Sequence, residues 1–113
     1  MKLIIAVINP DRLHDVLRKL EENQIHLVTV SNAVGRGRKE GPSAIYRSHR
    51  EAGNLLKKVR IEIAVNDVYV QPTVDAIVGG ARSGEIGDGK IFILDLHECI
   101  RVRTGETGPL AIG

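Results

Sequence analysis

An α+β fold of two β-α-β units, packed as a ferredoxin-like sandwich of one sheet and two helices, is what this sequence predicts. Three observations carry the prediction. Strand-like and helix-like segments follow one another as β-α-β, long loop, β-α-β over 113 residues, a length that suits a single domain spanning 1–113. The halves echo each other: Ile5-Ala6-Val7 in the first and Ile63-Ala64-Val65 in the second are each followed by an asparagine shortly before a helix. Aromatic residues make up only 3% of a chain that is 42% hydrophobic, so the core must be built from Ile, Val, Leu and Ala.

The elements follow in order. KLIIAVI (2–8) is β-branched and almost continuously apolar, as in a strand buried on both faces. Asn9-Pro10-Asp11 breaks it, and proline is well tolerated at the helix start that follows. In DRLHDVLRKLEEN, Leu13, Val16, Leu17 and Leu20 form one helical stripe, and Asn23 and Gln24 end it. IHLVTVSNAVG (25–35) reads as a long strand. Residues 36–58 hold glycines, a proline and mixed charges without a sustained period, a loop long enough to be functional. VRIEIAV (59–65) alternates cleanly, with Val59, Ile61, Ile63 and Val65 on the buried side. A second helix runs through Val70, Val74, Ile77 and Val78. Pro72 lies near its start, Gly79-Gly80 weakens its far end and Gly84 is placed to cap it. IFILDL (91–96) is the fourth strand, and the glycine-rich tail, about 104–113, is expected to be flexible. Two helices cover only one face of such a sheet. The other face is apolar as well, and self-association is the simplest cover.

Composition excludes several functions. A net charge of +2, from 16 basic and 14 acidic residues, is too balanced to indicate a nucleic-acid partner by bulk field alone, and the chain has almost none of the stacking aromatics that single strands need, so no nucleic-acid partner is expected. Cys99 is the single cysteine, so no intrachain disulfide forms, in keeping with a reducing compartment. The apolar run at the N-terminus is too short for a membrane span and reads as the first strand of a cytoplasmic protein. His14, His26, His49 and His97 show no ligand spacing, so no metal site is expected.

Three basic, glycine-bearing segments remain. Gly87-Asp88-Gly89-Lys90 can turn backbone amides toward an anion beside a lysine, although it also fits a plain tight turn. Arg101 and Arg103 share a face if their segment is extended, where a phosphate chain would relieve their repulsion; two solvated arginines fit as well. Gly35-Arg36-Gly37-Arg38 opens the long loop, with Lys39 next, and Lys57 and Lys58 close it. A polyphosphate is the simplest common cause of all three.

At this point a resemblance becomes specific. MKLIIAVINPDRLHDVLRKLEENQI, VTVSNAVGRGR, VRIEIAV, ARSGEIGDGKIFILDL and IRVRTGE together resemble the PII signal-transduction proteins of the GlnB/GlnK kind, over essentially the whole chain. The resemblance implies a ferredoxin-like homotrimer with its sheets turned inward, and ATP or ADP bound between neighbouring subunits. Matching positions put Thr29 and Ala64 near the adenine. Gly35, Arg36, Gly37, Arg38 and Lys58 come from the loop base, and Gly87, Asp88, Gly89 and Lys90 hold the phosphates. Arg101 and Arg103 would reach in from the adjacent subunit. The long loop would dock into target proteins, among them ammonium transporters and enzymes of nitrogen metabolism, in a ligand-dependent way.

The departures fall in that loop. Lys39 and Lys58 are the positions for a small effector, but Lys39 stands where the family usually has a glutamine that helps bind magnesium and 2-oxoglutarate. A lysine offers no acceptor to a cation, so magnesium-assisted 2-oxoglutarate binding is not expected to carry over. Glu51 stands where many bacterial members carry a modified tyrosine; Tyr46 matches another loop tyrosine and Ser48 offers a hydroxyl. The function expected is that of a divergent nucleotide-sensing regulator, not an enzyme. A slow nucleotide hydrolase, with Asp88 or Glu62 as base, and a metal-binding trimer of similar fold are the alternatives.

Overall fold

A computed structural model describes residues 1–37 and 55–113. The four strands are β1 (Lys2–Ile8), β2 (Thr29–Gly35), β3 (Leu56–Val65) and β4 (Gly89–Asp95), and the helices are α1 (Leu13–Glu22), α2 (Val70–Ala81) and a short α3 (Pro109–Ile112). They form one antiparallel sheet in the order β2-β3-β1-β4. Consecutive strands β1 and β2 are not neighbours, and neither are β3 and β4. The helix between each pair carries the chain across one face, the crossover expected of two β-α-β units.

The core lies on that face. Ile4, Ala6 and Ile8 of β1 and Val59, Ile61, Ile63 and Val65 of β3 are buried against Val16 and Leu20 of α1 and Ala76 and Ile77 of α2. Burying one of the Ile, Leu or Val side chains is worth roughly 1.5–3 kcal/mol. Because side chains alternate along a strand, the intervening residues form the opposite face. There the register lines up Ala64, Leu3 and Leu94 in one row. Thr29, Glu62, Ile5 and Phe92 make the next, and Ser31, Arg60, Val7 and Lys90 a third. Phe92 is 49% and Leu94 45% exposed, so this apolar face is uncovered within the chain.

Several boundaries differ from the sequence reading for local reasons. β2 begins at Thr29 rather than at residue 25. Gln24 adopts a left-handed conformation (φ 64°), and the Ile25 N–H donates to the Leu20 carbonyl, which tucks Ile25 into the core instead of a ladder. β3 starts at Leu56, so Lys57 and Lys58 belong to a strand and not to the loop. β4 starts at Gly89 and takes in Lys90.

The second helix buries Thr73, Ala76, Ile77, Gly80 and Ala81, while Val78 turns outward. Thr73 is tolerated because its hydroxyl donates to the Tyr69 carbonyl one turn back, at 2.7 Å. Pro72 falls in the first turn, where a missing N–H costs no helical bond. The Gly79-Gly80 pair does not end the helix. A Cβ on Gly80 would lie 2.7 Å from the Val16 Cα, so glycine there lets α1 and α2 approach closely. Gly84 does not cap it either, since the helix ends at Ala81, with Arg82 extended.

The tail is tied down where looseness was expected. Ile100 bridges to Thr107, Ala111 is buried, and Asn66 Nδ2 donates to the Pro109 carbonyl at 3.1 Å.

Candidate phosphate-turn and loop-base site

At the end of the sheet where β1 stops, three segments converge. Lys58 of β3, one residue past the Ile8–Val59 pair, reaches Asn9 Oδ1 at 2.5 Å and the Gly87 carbonyl at 3.2 Å. Asn9 Nδ2 donates to the same carbonyl at 3.0 Å. Gly87 has φ 102°, a conformation that glycine adopts without strain. Next to it, Asp88 fastens the turn that runs from α2 to β4. Its carboxylate accepts from the Ser83 N–H at 2.8 Å, the Gly84 N–H at 2.9 Å and the Ser83 hydroxyl.

The Ser83 hydroxyl bond is the main reason that the Asp88 pKa lies below the ordinary carboxylate value of 3.8; the Ser83 and Gly84 N–H bonds and the Arg12 charge act the same way. A depressed pKa means that the ionised form supports the fold above pH 3.8, and that this support is lost as pH falls through the lower folded value. Hydrogen exchange should therefore show the Ser83 and Gly84 amides protected at neutral pH and losing protection in stronger acid. Asp88→Asn should lose it already at neutral pH. A variant protected like wild type would contradict the fastening role.

These bonds also bear on a general base. Asp88 is committed to three donors, and the other candidate, Glu62, is paired with Arg60 at 2.8 Å. Held low by these three bonds, the Asp88 carboxylate is a poor proton acceptor at neutral pH.

The other expected site residues fall into three places. Gly35, Arg36 and Gly37 lie at the Leu56 end of β3, the same end as Lys58 and Gly87, with Arg36 exposed. The Lys90 side chain, exposed on the open face, enters no hydrogen bond or ion pair with a described residue, while its backbone pairs with Val7 in the sheet. Thr29 and Ala64 lie on that open face too, with Thr29 opposite Glu62 and Ala64 opposite Leu3. Arg101 and Arg103 are elsewhere. β4 runs about 20 Å from Gly89 to Asp95 at ordinary strand rise, and the arginines lie beyond its far end. There the Arg101 guanidinium donates to Glu106 at 2.6 Å and to the Leu110 carbonyl at 2.9 Å.

Residues 101–104 are a turn, closed by the Gly105 N–H donating to the Arg101 carbonyl at 2.8 Å. The extended segment that would align Arg101 with Arg103 is therefore not formed, because Gly105 (φ 75°) and the Glu106 carboxylate fold it back. Arg38 and Lys39, with Tyr46, Ser48, His49 and Glu51, lie outside the described residues. Among the described residues, no group of three or more His, Cys, Asp or Glu side chains gathers as for a metal ion, and no helix is long and apolar enough to cross a membrane.

Sequence reasoning missed Asn9, Ser83 and Glu106. The repeated asparagine before each helix was the available signal for Asn9. Neither asparagine caps its helix through its side chain, however; each reaches a distant carbonyl instead, Asn9 to Gly87 and Asn66 to Pro109.

Residues 1–106 match the sequence profile described as nitrogen regulatory protein P-II. The chain belongs to that family. It is 48% identical over 114 residues to nitrogen regulatory protein GlnK1 of Methanosarcina mazei, covering 99% of this chain and 97% of the relative. Identity is 46% over 112 residues to nitrogen regulatory protein P-II 2 of Methanothermobacter thermautotrophicus, with 99% and 97% covered. Among solved structures it is similar to Arabidopsis thaliana PII bound to citrate, with a TM-score of 0.79 and 36% identity over 97% of this chain and 87% of the other. The P-II assignment bears out the family resemblance and the α+β ferredoxin-like fold. It gives this chain a regulatory, signal-transducing role in nitrogen metabolism, among proteins named as regulators rather than enzymes.

Proposed function

We propose that this chain senses ATP or ADP at clefts between the subunits of a homotrimer, and passes the result to target proteins through its long loop, roughly residues 37–55. The targets would be a transporter or an enzyme of nitrogen metabolism, reached in the cytoplasm or at a membrane through the target. The supporting observation is a separation. The glycine turn with Lys90 and the arginine pair lie at opposite ends of a strand about 20 Å long, farther apart than one triphosphate spans. With Arg101 held by Glu106 and Leu110 at its own end, this separation favours a phosphate chain shared between two chains. The apolar open face carrying Leu3, Ile5, Phe92 and Leu94 gives those chains a reason to meet.

Calorimetry at near-physiological salt tests the reading. ATP or ADP should bind with one site per subunit interface. Lys90→Ala and Arg101→Ala should each weaken binding by roughly 1–3 kcal/mol, the usual loss for a charged hydrogen bond. If both variants bind like wild type, the site assignment is wrong.

Small effectors are a separate prediction. 2-Oxoglutarate should bind this chain weakly, because Lys39 replaces a magnesium ligand and Lys58 is already held by Asn9 and Gly87. Lys39→Gln should strengthen binding in a titration with magnesium and ATP present. Tight binding by wild type would refute this.

A further inference from the structure

We infer that Asn9 is a positioning residue for the nucleotide site: it fixes the direction of the Gly87–Asp88 peptide and couples that peptide to Lys58 near the start of β3. The inference rests on the nucleotide reading above and adds a residue to it. Asn9 spends both halves of its amide on residues far away in sequence, Lys58 and Gly87. Its orientation follows from chemistry. A lysine ammonium can only donate, so the atom facing Lys58 is Oδ1. A carbonyl can only accept, so the atom facing Gly87 is Nδ2. The Gly87 carbonyl thus receives two donors, one from Asn9 and one from Lys58.

That matters because no peptide bond in the described chain is cis. In a trans peptide the C=O and the following N–H point in opposite directions. Holding the Gly87 carbonyl toward Asn9 and Lys58 therefore turns the Asp88 N–H away from them. A phosphate oxygen needs donors, and the reversed peptide would present it with a carbonyl instead. The glycine at 87 makes such a reversal cheap, so something must prevent it. The Asp88 side chain anchors the other half of the turn through Ser83 and Gly84, but makes no bond to the Gly87 carbonyl. Asn9 and Lys58 supply that restraint, and Lys58 sits in the strand that leaves the long loop. Any ligand or target that draws Lys58 away would leave the peptide with the Asn9 bond alone.

Two substitutions test this on the full chain. Asn9→Ala removes both bonds. Asn9→Asp keeps an acceptor for Lys58, now as an ion pair that supports the fold, but sets a second acceptor against the Gly87 carbonyl. Both should raise the Kd for ATP about tenfold, the effect of losing one hydrogen bond of this kind. Asn9→Asp should do so with a melting temperature close to wild type. In ligand-free protein, the Asp88 amide resonance should shift in both variants, a signature that loss of stability alone would not give. If wild type binds ATP and both variants bind equally well, or if the Asp88 amide stays put in both folded variants, the inference is overturned. If wild type binds no ATP, the nucleotide reading falls and takes this inference with it.

Discussion

Mixing Lys90→Ala chains with Arg101→Ala chains, unfolded together and refolded in equal amounts, should restore tight nucleotide sites, where each variant alone forms only weakened ones. If each cleft takes its glycine turn and Lys90 from one chain and Arg101 from the next, a cleft is intact when an Arg101→Ala chain supplies the lysine and a Lys90→Ala chain supplies the arginine. Random assembly gives that pairing at about one interface in four. Calorimetry of the mixture should thus recover about a quarter of the wild-type tight sites. Each variant alone should show only sites weakened by the roughly 1–3 kcal/mol of a lost charged contact.

The prediction discriminates because of where the residues sit. Lys90 pairs with Val7 near one end of the sheet. Arg101 is tied to Glu106 and Leu110 beyond the other end, in the segment that Asn66 binds through Pro109. A site built within one chain would gain nothing from mixing, so absence of recovery would defeat the shared-cleft proposal. Arg101→Ala also removes two bonds that hold the tail, and equal melting temperatures for the two variants would show that the comparison is one of binding.

What the sequence made legible was whatever has a local period. β1 was read to its last residue, because a nearly continuous apolar run rich in Ile and Val, bounded by Asn-Pro, points to a strand. The clean alternation of 59–65 likewise marked the buried side of β3. Where period failed, so did the reading. Lys57 and Lys58 looked like loop charges, since nothing local says that β3 runs on past the end of β1 to pair with β2 at Gly35 and Ala33. Thr73 and Gly80 are buried for reasons held elsewhere, in the Tyr69 carbonyl and the Val16 backbone.

The site shows the same division. Glycines, lysines and arginines of the right kind were visible as three segments, and the family resemblance grouped them. The bonds that orient them were not visible. Asn9 lies 49 residues from Lys58 and 78 from Gly87, and only the fold brings the three together. Arg101 and Arg103 were aligned on the assumption of an extended strand, and a glycine two residues beyond Arg103 folds the segment into a turn.

Gly89→Ala should be the most damaging single substitution outside the core, at about 3 kcal/mol or more, in the range reserved for a named steric mechanism. Two effects add. Gly89 has φ 114°, which an alanine adopts only under strain. Its Cβ would also lie 2.0 Å from the Val7 carbonyl oxygen and 3.1 Å from the Val7 carbonyl carbon. Those are backbone atoms of β1, and they cannot yield unless the Ile8–Gly89 pairing opens. Gly84→Ala is the matched control. Its φ is 89°, but a Cβ there meets nothing within 4 Å, so it carries only the strain, about 1–2 kcal/mol. Denaturant titration should separate the two clearly, and equal losses would remove the steric argument. The result also decides how Gly89 is to be understood. The resemblance assigned it to the phosphates, whereas close approach of β1 already requires a glycine there whether or not a ligand binds. Loss of nucleotide affinity in Gly89→Ala would therefore report the opened β1–β4 edge, and with it the displaced Lys90.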